Sequence, residues 1–398
     1  MTWVPGAAGS GFGVAHLPYG VLAVGAERRP AVRIGDHALD LAAAEEAGLV
    51  DAGGRLRGPD LTPFLAAGPA RWRAVRERLR TLLTDPAARP AVEPLLRPAT
   101  GAVMPFPVAD FVDFYSSEHH ATNVGKIFRP DRPGLPANWR HLPAGYHGRA
   151  GTVVISGTPV VRPCGQHLAG AGAPRFGPTT RLDIEAEVGF VVGVPSRPGE
   201  PVGVDRFADH VFGVVLVNDW SARDLQAWEY HPLGPFLGKS FATSISAWIT
   251  PLAALADAWV PLPEQDPPVL AYLRQTPRLG LDLALRVYWN GTLVSSPPFA
   301  GMYWTPAQQL AHLTSNGAPV RTGDLYASGT VSGPRRDQVG SLLELTWNGA
   351  EPVRLGDGAP RTFLADGDTV TIRASAPAAG GGRITLAEVT GAIAPARC

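Results

Sequence analysis

The sequence predicts a mostly β, α+β protein made of a small N-terminal unit, residues 1–105, and a larger unit, residues 106–398. Three observations carry this. A chain of 398 residues exceeds what one small core serves. Its 46 glycines and 40 prolines punctuate many short alternating segments. Few segments show a helical period. In the first unit, Gly20–Val24 and Ala31–Gly35 alternate as strands around the turn Gly35-Asp36, which suggests a small β-barrel or sheet. Helices follow over 39–47 and 70–84. In the second of these, Trp72, Val75, Leu79 and Leu82 share one face and arginines occupy a solvated one. The stretch Pro86–Pro107 holds six prolines and reads as a linker or extended wrap. Beyond it, β-like runs fall at 152–156, 159–162, 182–193, 211–217, 282–288, 341–347 and 368–373. One helix is expected over 305–313, with Thr305 as its cap and Pro306 at the first position. The larger unit therefore reads as a β-roll or complex mixed sheet with long loops.

Composition excludes several functions. The 35 basic and 35 acidic residues cancel, which removes a broad electrostatic case for nucleic acid. No run of about 18 apolar residues suggests a membrane span. The first 26 residues are uncharged but lack a basic start and are broken by Pro5, Pro18 and glycines, a poor signal peptide. Two cysteines, Cys164 and Cys398, give neither a disulfide framework nor zinc spacing, so a reducing, cytoplasmic setting is expected. Among the basic residues just two are lysines, Lys126 and Lys239, which makes each worth inspecting.

Three segments carry candidate chemistry. In Arg181–Phe190, a two-residue period puts Leu182, Ile184, Ala186 and Val188 on one face and Asp183, Glu185 and Glu187 on the other. Three neighbouring carboxylates repel, and a hard cation would offset that cost; a solvated outer face is the plainer alternative. In Val211–Tyr230, a buried strand runs into Asp219. Ser221 then resembles a helix cap, and the helix would place Arg223, Gln226 and Tyr230 on one stripe. The loop Gly234–Ser240 can return Lys239 towards Asp219. The third segment, Asp113–Gly125, packs acids, a phenol and a histidine pair. Asp113, Glu185, Glu187 and Asp219 together would form an all-carboxylate cage, which favours Mg²⁺ or Ca²⁺ over zinc or copper.

Asp113-Phe114-Tyr115-Ser116-Ser117, His120-Ala121-Thr122-Asn123-Val124-Gly125, Tyr146-His147-Gly148-Arg149, Asp183-Ile184-Glu185-Ala186-Glu187, Asn218-Asp219-Trp220-Ser221-Ala222-Arg223-Asp224 and Gly234-Pro235-Phe236-Leu237-Gly238-Lys239 resemble the fumarylacetoacetate hydrolase family. Arg321–Thr330 and Gly340–Leu345 extend the likeness nearly end to end. The resemblance implies an SH3-like N-terminal barrel, a mixed β-roll catalytic domain and a homodimer. It implies that Asp113, Glu185, Glu187 and Asp219 hold a divalent ion. Asp219, Thr243 and Lys239 would contribute to a second, Mg²⁺-like site, Lys239 through its backbone carbonyl. Tyr115, Arg129, Tyr146, Gln226, Tyr230 and Thr330 would contact substrate. His120 would be the general base, oriented by Glu344, with Arg223, Gln226 and Lys239 stabilising an oxyanion.

The activity so implied is hydrolysis of a carbon–carbon bond in 4-fumarylacetoacetate, giving fumarate and acetoacetate, the last step of tyrosine and phenylalanine catabolism. The alternatives are another superfamily activity on a 1,3-diketo acid, such as acylpyruvate hydrolysis, and a Ca²⁺-stabilised binding module without catalysis. Glu118-His119 departs from the family pattern and places an extra charge near the base. The tail segment Thr385–Val389 departs as well.

Overall fold

The computed structural model describes residues 2–168, 172–356 and 358–398. Near the N-terminus, Tyr19–Val24, Glu27–Ile34 and His37–Asp40 form consecutive antiparallel strands. Their alternation buries Val21, Val32, Ile34 and Leu39 on one side. The Pro-rich stretch is more than a linker. Leu96–Pro98 pairs with His37–Leu39 and Ala102–Val103 with Val21–Leu22, so it supplies both edges of a five-stranded sheet. Proline is tolerated at a sheet edge because its missing N–H costs no ladder bond there. The helix Pro69–Thr84 buries Val75, Leu79, Leu82 and Leu83, as its spacing requires. One member of its basic face is not solvated. Arg76 is buried and donates to the carbonyls of His16 (2.8 Å) and Ala15 (2.5 Å).

The main body is an eight-stranded mixed sheet. Along it run Gly145–His147, Phe111–Phe114, Leu325–Ala327, Ala186–Val192, Val211–Asp219, Thr243–Ile245 and Val153–Ile155, with Thr250–Pro251 paired to Val211–Asp219 off that path. Leu325–Ala327 runs parallel to Phe111–Phe114, and Thr243–Ile245 parallel to Val153–Ile155; the other pairings are antiparallel. A second sheet carries Thr292–Ser295, Ala284–Trp289, Thr369–Pro377, Arg383–Ala394 and Val160–Val161 in that order. Val214, Leu216 and Trp220 share one core with Leu285, Trp289, Ile372 and Ile384 of this second sheet. On the reverse face, Val191, Phe212, Val215 and Val217 share a core with Tyr19, Val21 and Phe64 of the N-terminal region. Val211–Asp219 is thus buried on both faces, which explains its unbroken apolar run.

Four local expectations are corrected. The stretch 341–347 is not a strand: Leu342–Leu345 is a helical turn whose cap, Ser341, accepts from the Glu344 N–H at 3.3 Å. The run 182–193 is two strands, Leu182–Asp183 and Ala186–Val192, broken at Ile184-Glu185. Ser221 does not cap a helix. Ser221–Ala222 pairs with Leu182–Asp183, and the helix begins at Arg223 and ends at Glu229. Cys164 and Cys398 are disulfide-bonded, with Cα atoms 6.1 Å apart, against the expectation that the cysteines stay separate.

Candidate active site

Three strands and two helices converge on one buried pocket of charge. Asp113 comes from Phe111–Phe114, Glu187 from Ala186–Val192 and Asp219 from the end of Val211–Asp219. Glu185 sits in the break before Ala186, where its N–H donates to Asn218 Oδ1 at 3.2 Å and its carbonyl accepts from the Asp219 N–H at 3.1 Å. Ligand oxygens of Asp113, Glu185, Glu187 and Asp219 all lie within 4.8 Å of one another, and all four residues are buried. Asp183 is not among them, because the strand break turns it away from Glu185 and Glu187.

Four carboxylates held this close and out of water repel strongly. Burial pushes Asp113 and Glu187 well above the usual carboxylate range, and the neighbouring acids push them further. Asp219 is also raised, chiefly by burial, with Lys239 opposing. Glu185 moves the other way: burial would raise it, but the charges of Lys239 and Arg223 together overcome that and lower it. The Lys239 ammonium bridges Glu185 and Asp219, lying 2.6 Å from Asp219 Oδ2. Thr243 Oγ1 donates to Asp219 Oδ1 at 2.7 Å, and the Tyr146 hydroxyl donates to Oδ2 at 3.2 Å.

Those contacts leave one side of the cluster unanswered. Asp113 Oδ1 and both carboxylate oxygens of Glu187 are buried with no hydrogen-bond partner among the described residues. Unpaired buried carboxylate oxygens are costly, and an oxygen-preferring divalent cation fits them. Opposed ligands at about 2.4 Å from Ca²⁺ stand about 4.8 Å apart, so the observed spacing suits one shared ion. The raised carboxyls must lose protons when a cation arrives. Cation binding is therefore expected to release protons and to strengthen as pH rises. Calorimetric titration with Mg²⁺ or Ca²⁺ in two buffers of different ionisation enthalpy should give different observed heats. Equal heats would contradict the raised carboxyls.

Beside the cluster lies a histidine pair of another kind. The helix Glu118–Phe128, capped by the Ser117 hydroxyl, carries His120. The His120 Nδ1–H donates to Glu344 Oε2 at 2.7 Å. A carboxylate only accepts, so neutral His120 bears its lone pair on Nε2, which lies 4.0 Å from Glu185 Oε1. Glu344 is held by more than histidine. Ser332 and Ser341 hydroxyls donate to its Oε2 at 3.0 and 2.8 Å, and the Asn123 amide donates to Oε1 at 2.9 Å. Burial alone would raise the Glu344 carboxyl; His120 and these donors instead bring it below its ordinary value. Asn123, Ser332 and Ser341 are contacts that the sequence alone does not single out. The Ser341-x-x-Glu344 spacing was the available signal for one of them.

The remaining candidates divide. Arg223 donates from Nη2 to Glu185 Oε1 at 2.8 Å and from Nη1 to Gln226 Oε1 at 3.1 Å, one helical turn away. Tyr115 stands edge-on to the His120 ring, centroids 5.3 Å apart. Thr330 is buried, with Oγ1 unpartnered among the described residues. Tyr230, by contrast, is exposed at the end of the Arg223 helix and rests on His231. Arg129 is half-buried at the end of the His120 helix. That helix is covered by the following loop at Gly125, where a Cβ would stand 1.8 Å from the Gly134 carbonyl oxygen, so no side chain fits. Glu118 pairs with Arg140 of the same loop, which answers the extra charge flagged beside the base. A cavity of about 560 Å³ opens against Arg223 and is lined by Phe128, His167, Arg181, Trp228 and Asn348. One of about 240 Å³ reaches Tyr146 and Lys239.

Comparison with known proteins follows the same lines. The profile of the fumarylacetoacetate (FAA) hydrolase C-terminal family matches residues 110–388, and that of the fumarylacetoacetase N-terminal family matches residues 15–107. Fumarylacetoacetase of Arabidopsis thaliana is 45% identical over 390 residues, covering 91% of each chain. That of Homo sapiens is 43% identical over 416 aligned positions, covering 100% of this chain and 99% of its own. Among solved structures, a fumarylacetoacetate hydrolase from psychrophilic Exiguobacterium antarcticum matches with a TM-score of 0.55 at 17% identity, covering 96% of this chain and 100% of its own, a likeness of fold.

Proposed function

This chain belongs to the fumarylacetoacetase family, and from that premise we propose that it hydrolyses 4-fumarylacetoacetate to fumarate and acetoacetate. The observation that carries the reading is the His120–Glu344 pair set against a buried carboxylate cluster whose Asp113 and Glu187 oxygens lack partners. Asp113, Glu185, Glu187 and Asp219 would hold Ca²⁺ or Mg²⁺. Asp219 and Thr243, with the Lys239 backbone, would serve a second Mg²⁺-like site. When bound, the cation polarises the β-diketo oxygens and favours enolate charge on the leaving fragment.

The chain's own groups supply the rest. His120, its Nδ1–H fixed on Glu344, accepts a proton from water at Nε2, and the water oxygen bonds to the carbonyl carbon of the fumaryl group, which becomes a fumarate carboxyl. Arg223, Gln226 and the Lys239 ammonium offer donors to the oxyanion, worth about 3–4 kcal/mol each where the geometry is preorganised. The bond to the acetoacetate carbon then breaks, its electron pair stays on that carbon, and the proton held by His120 neutralises it. Tyr115, Tyr146, Tyr230, Thr330 and Arg129 orient the substrate and its carboxylates. Water is the nucleophile.

The wider reading includes a division into an N-terminal domain, 1–105, and a catalytic domain, 106–398. It also includes a cytoplasmic homodimer acting on a small diketo acid. Among the described residues, no helix is long and apolar enough to cross a membrane. Phe176, Trp228, Leu233, Phe236 and Leu237 are exposed large apolar side chains, which supports the self-association reading. The decisive experiment offers the enzyme fumarylacetoacetate and acetopyruvate in parallel. Turnover of the first, abolished by chelation and restored by Mg²⁺ or Ca²⁺, is expected. Preference for acetopyruvate would favour the acylpyruvate branch, and full activity without metal would remove the cage from the mechanism.

A further inference from the structure

Asp183 is the acid of its segment that the four-carboxylate cluster leaves out, and its surroundings give it a different task. It is fully buried, and both its oxygens are occupied. Oδ1 accepts from the backbone N–H groups of Ile184 and Leu342, each at 2.7 Å. Oδ2 accepts from Arg223 Nε at 2.7 Å and from the Leu343 N–H at 3.0 Å. One carboxylate therefore grips two structures at once. On one side is the guanidinium that reaches Glu185 and Gln226. On the other is the helical turn whose next residue, Glu344, holds His120. The same turn is tied from behind, since the Ala186 N–H donates to the Gly340 carbonyl at 2.9 Å and Glu185 bridges Ser341.

We propose that Asp183 is a positioning residue: by binding Arg223 and the Leu342–Leu343 backbone together, it holds the oxyanion donors and the Glu344–His120 base in one fixed relation. The inference rests on the hydrolase reading above. A carboxylate suits the task because all four of its neighbours donate and it offers only acceptor sites. Asparagine has nearly the same volume, yet its amide NH₂ must face either Arg223 and Leu343 or Leu342 and Ile184. Turned one way it loses Arg223 and Leu343 together; turned the other it keeps both but sets its NH₂ against the N–H groups of Ile184 and Leu342, which weakens the hold on the turn.

The test measures kcat, KM, bound metal and folded fraction for Asp183→Asn, with Asp183→Glu as a second variant that keeps the charge. Asp183→Asn is expected to lower kcat by about 30- to 100-fold per folded, metal-loaded enzyme, with KM within about threefold of the parent. In a Glu344→Gln background, the same change should cost clearly less, about three- to tenfold, because the part exerted through the base is already gone and only the part through Arg223 remains. Asp183→Glu should recover part of the lost kcat. Variants that fold and load metal but keep parental kcat would overturn the proposal. So would losses in kcat that multiply fully with Glu344→Gln, or failure of both variants to fold, which would make Asp183 a requirement of the fold alone. An inactive parent enzyme would refute the hydrolase reading itself, whereas the ratio of variant to parent judges only Asp183.

Discussion

Replacing His120 with alanine is expected to reduce kcat by about 10²–10⁴-fold while leaving metal content unchanged. Its Nδ1–H is committed to Glu344, which leaves Nε2 as the one free basic atom of the ring. Nε2 lies 4.0 Å from Glu185, close enough to work on a molecule bound at the carboxylate cluster. None of the unpartnered oxygens of that cluster belongs to a group His120 bonds, so its loss leaves the cation's ligands in place. The measurement is steady-state kinetics alongside metal analysis of the same preparation. Near-parental kcat would move the base elsewhere, and the half-buried neighbour His119 would be the first place to look.

Lys239→Arg is expected to cost at least about 10² in kcat, although it conserves charge. Lys239 is buried, and its ammonium fits between Glu185 and Asp219. Those same acids hold the ammonium strongly protonated, against the opposing effect of burial. A guanidinium is planar and bulkier, and its directed fork cannot replace a compact ammonium between two carboxylates without displacing one of them. A surface lysine would accept arginine within about 0.5 kcal/mol; this one should not. Parental turnover with normal metal occupancy in Lys239→Arg would show that only the charge matters there.

The parts legible in the sequence were those written in short-range pattern. The cluster of Asp113, Glu185, Glu187 and Asp219 could be read from acids at strand ends, and Lys239 stood out because arginine is the usual cation of this chain. The helix at Thr305 is readable from its cap, its first-position proline and its apolar spacing, and the structure adds that Gln308 completes a capping box. What failed depended on distant partners. Strict alternation through Arg181–Phe190 put Asp183 beside Glu185 and Glu187, because the break at Ile184-Glu185 is imposed by pairing with Ser221–Ala222 and the bridge to Ser341. Leucines at 342, 343 and 345 looked like a strand, since a short buried apolar run has no period of its own. Arg383–Ala394, the longest strand among the described residues, carries a β pattern diluted by Gly391 and three alanines, and its register is set by Thr369–Pro377. Cys164 and Cys398 are 234 residues apart in sequence, a separation no spacing rule bridges.

The core that Tyr19, Val21 and Phe64 share with Val191, Phe212 and Val217 bears on how the chain is made. During synthesis the N-terminal sheet leaves the ribosome first, but one wall of its core is still untranslated. Until Val211–Asp219 emerges, Phe64 and its neighbours stay uncovered and open to chaperones or to other nascent chains. The order of events reverses for the four clustered acids. Asp219 arrives on one strand of that wall, but Phe111–Phe114 joins the sheet only through Leu325–Ala327, whose Leu325 and Ala327 also enter the N-terminal core, so completion of that core and assembly of the carboxylate cluster become one step of maturation. A chain stalled before that strand is built carries neither.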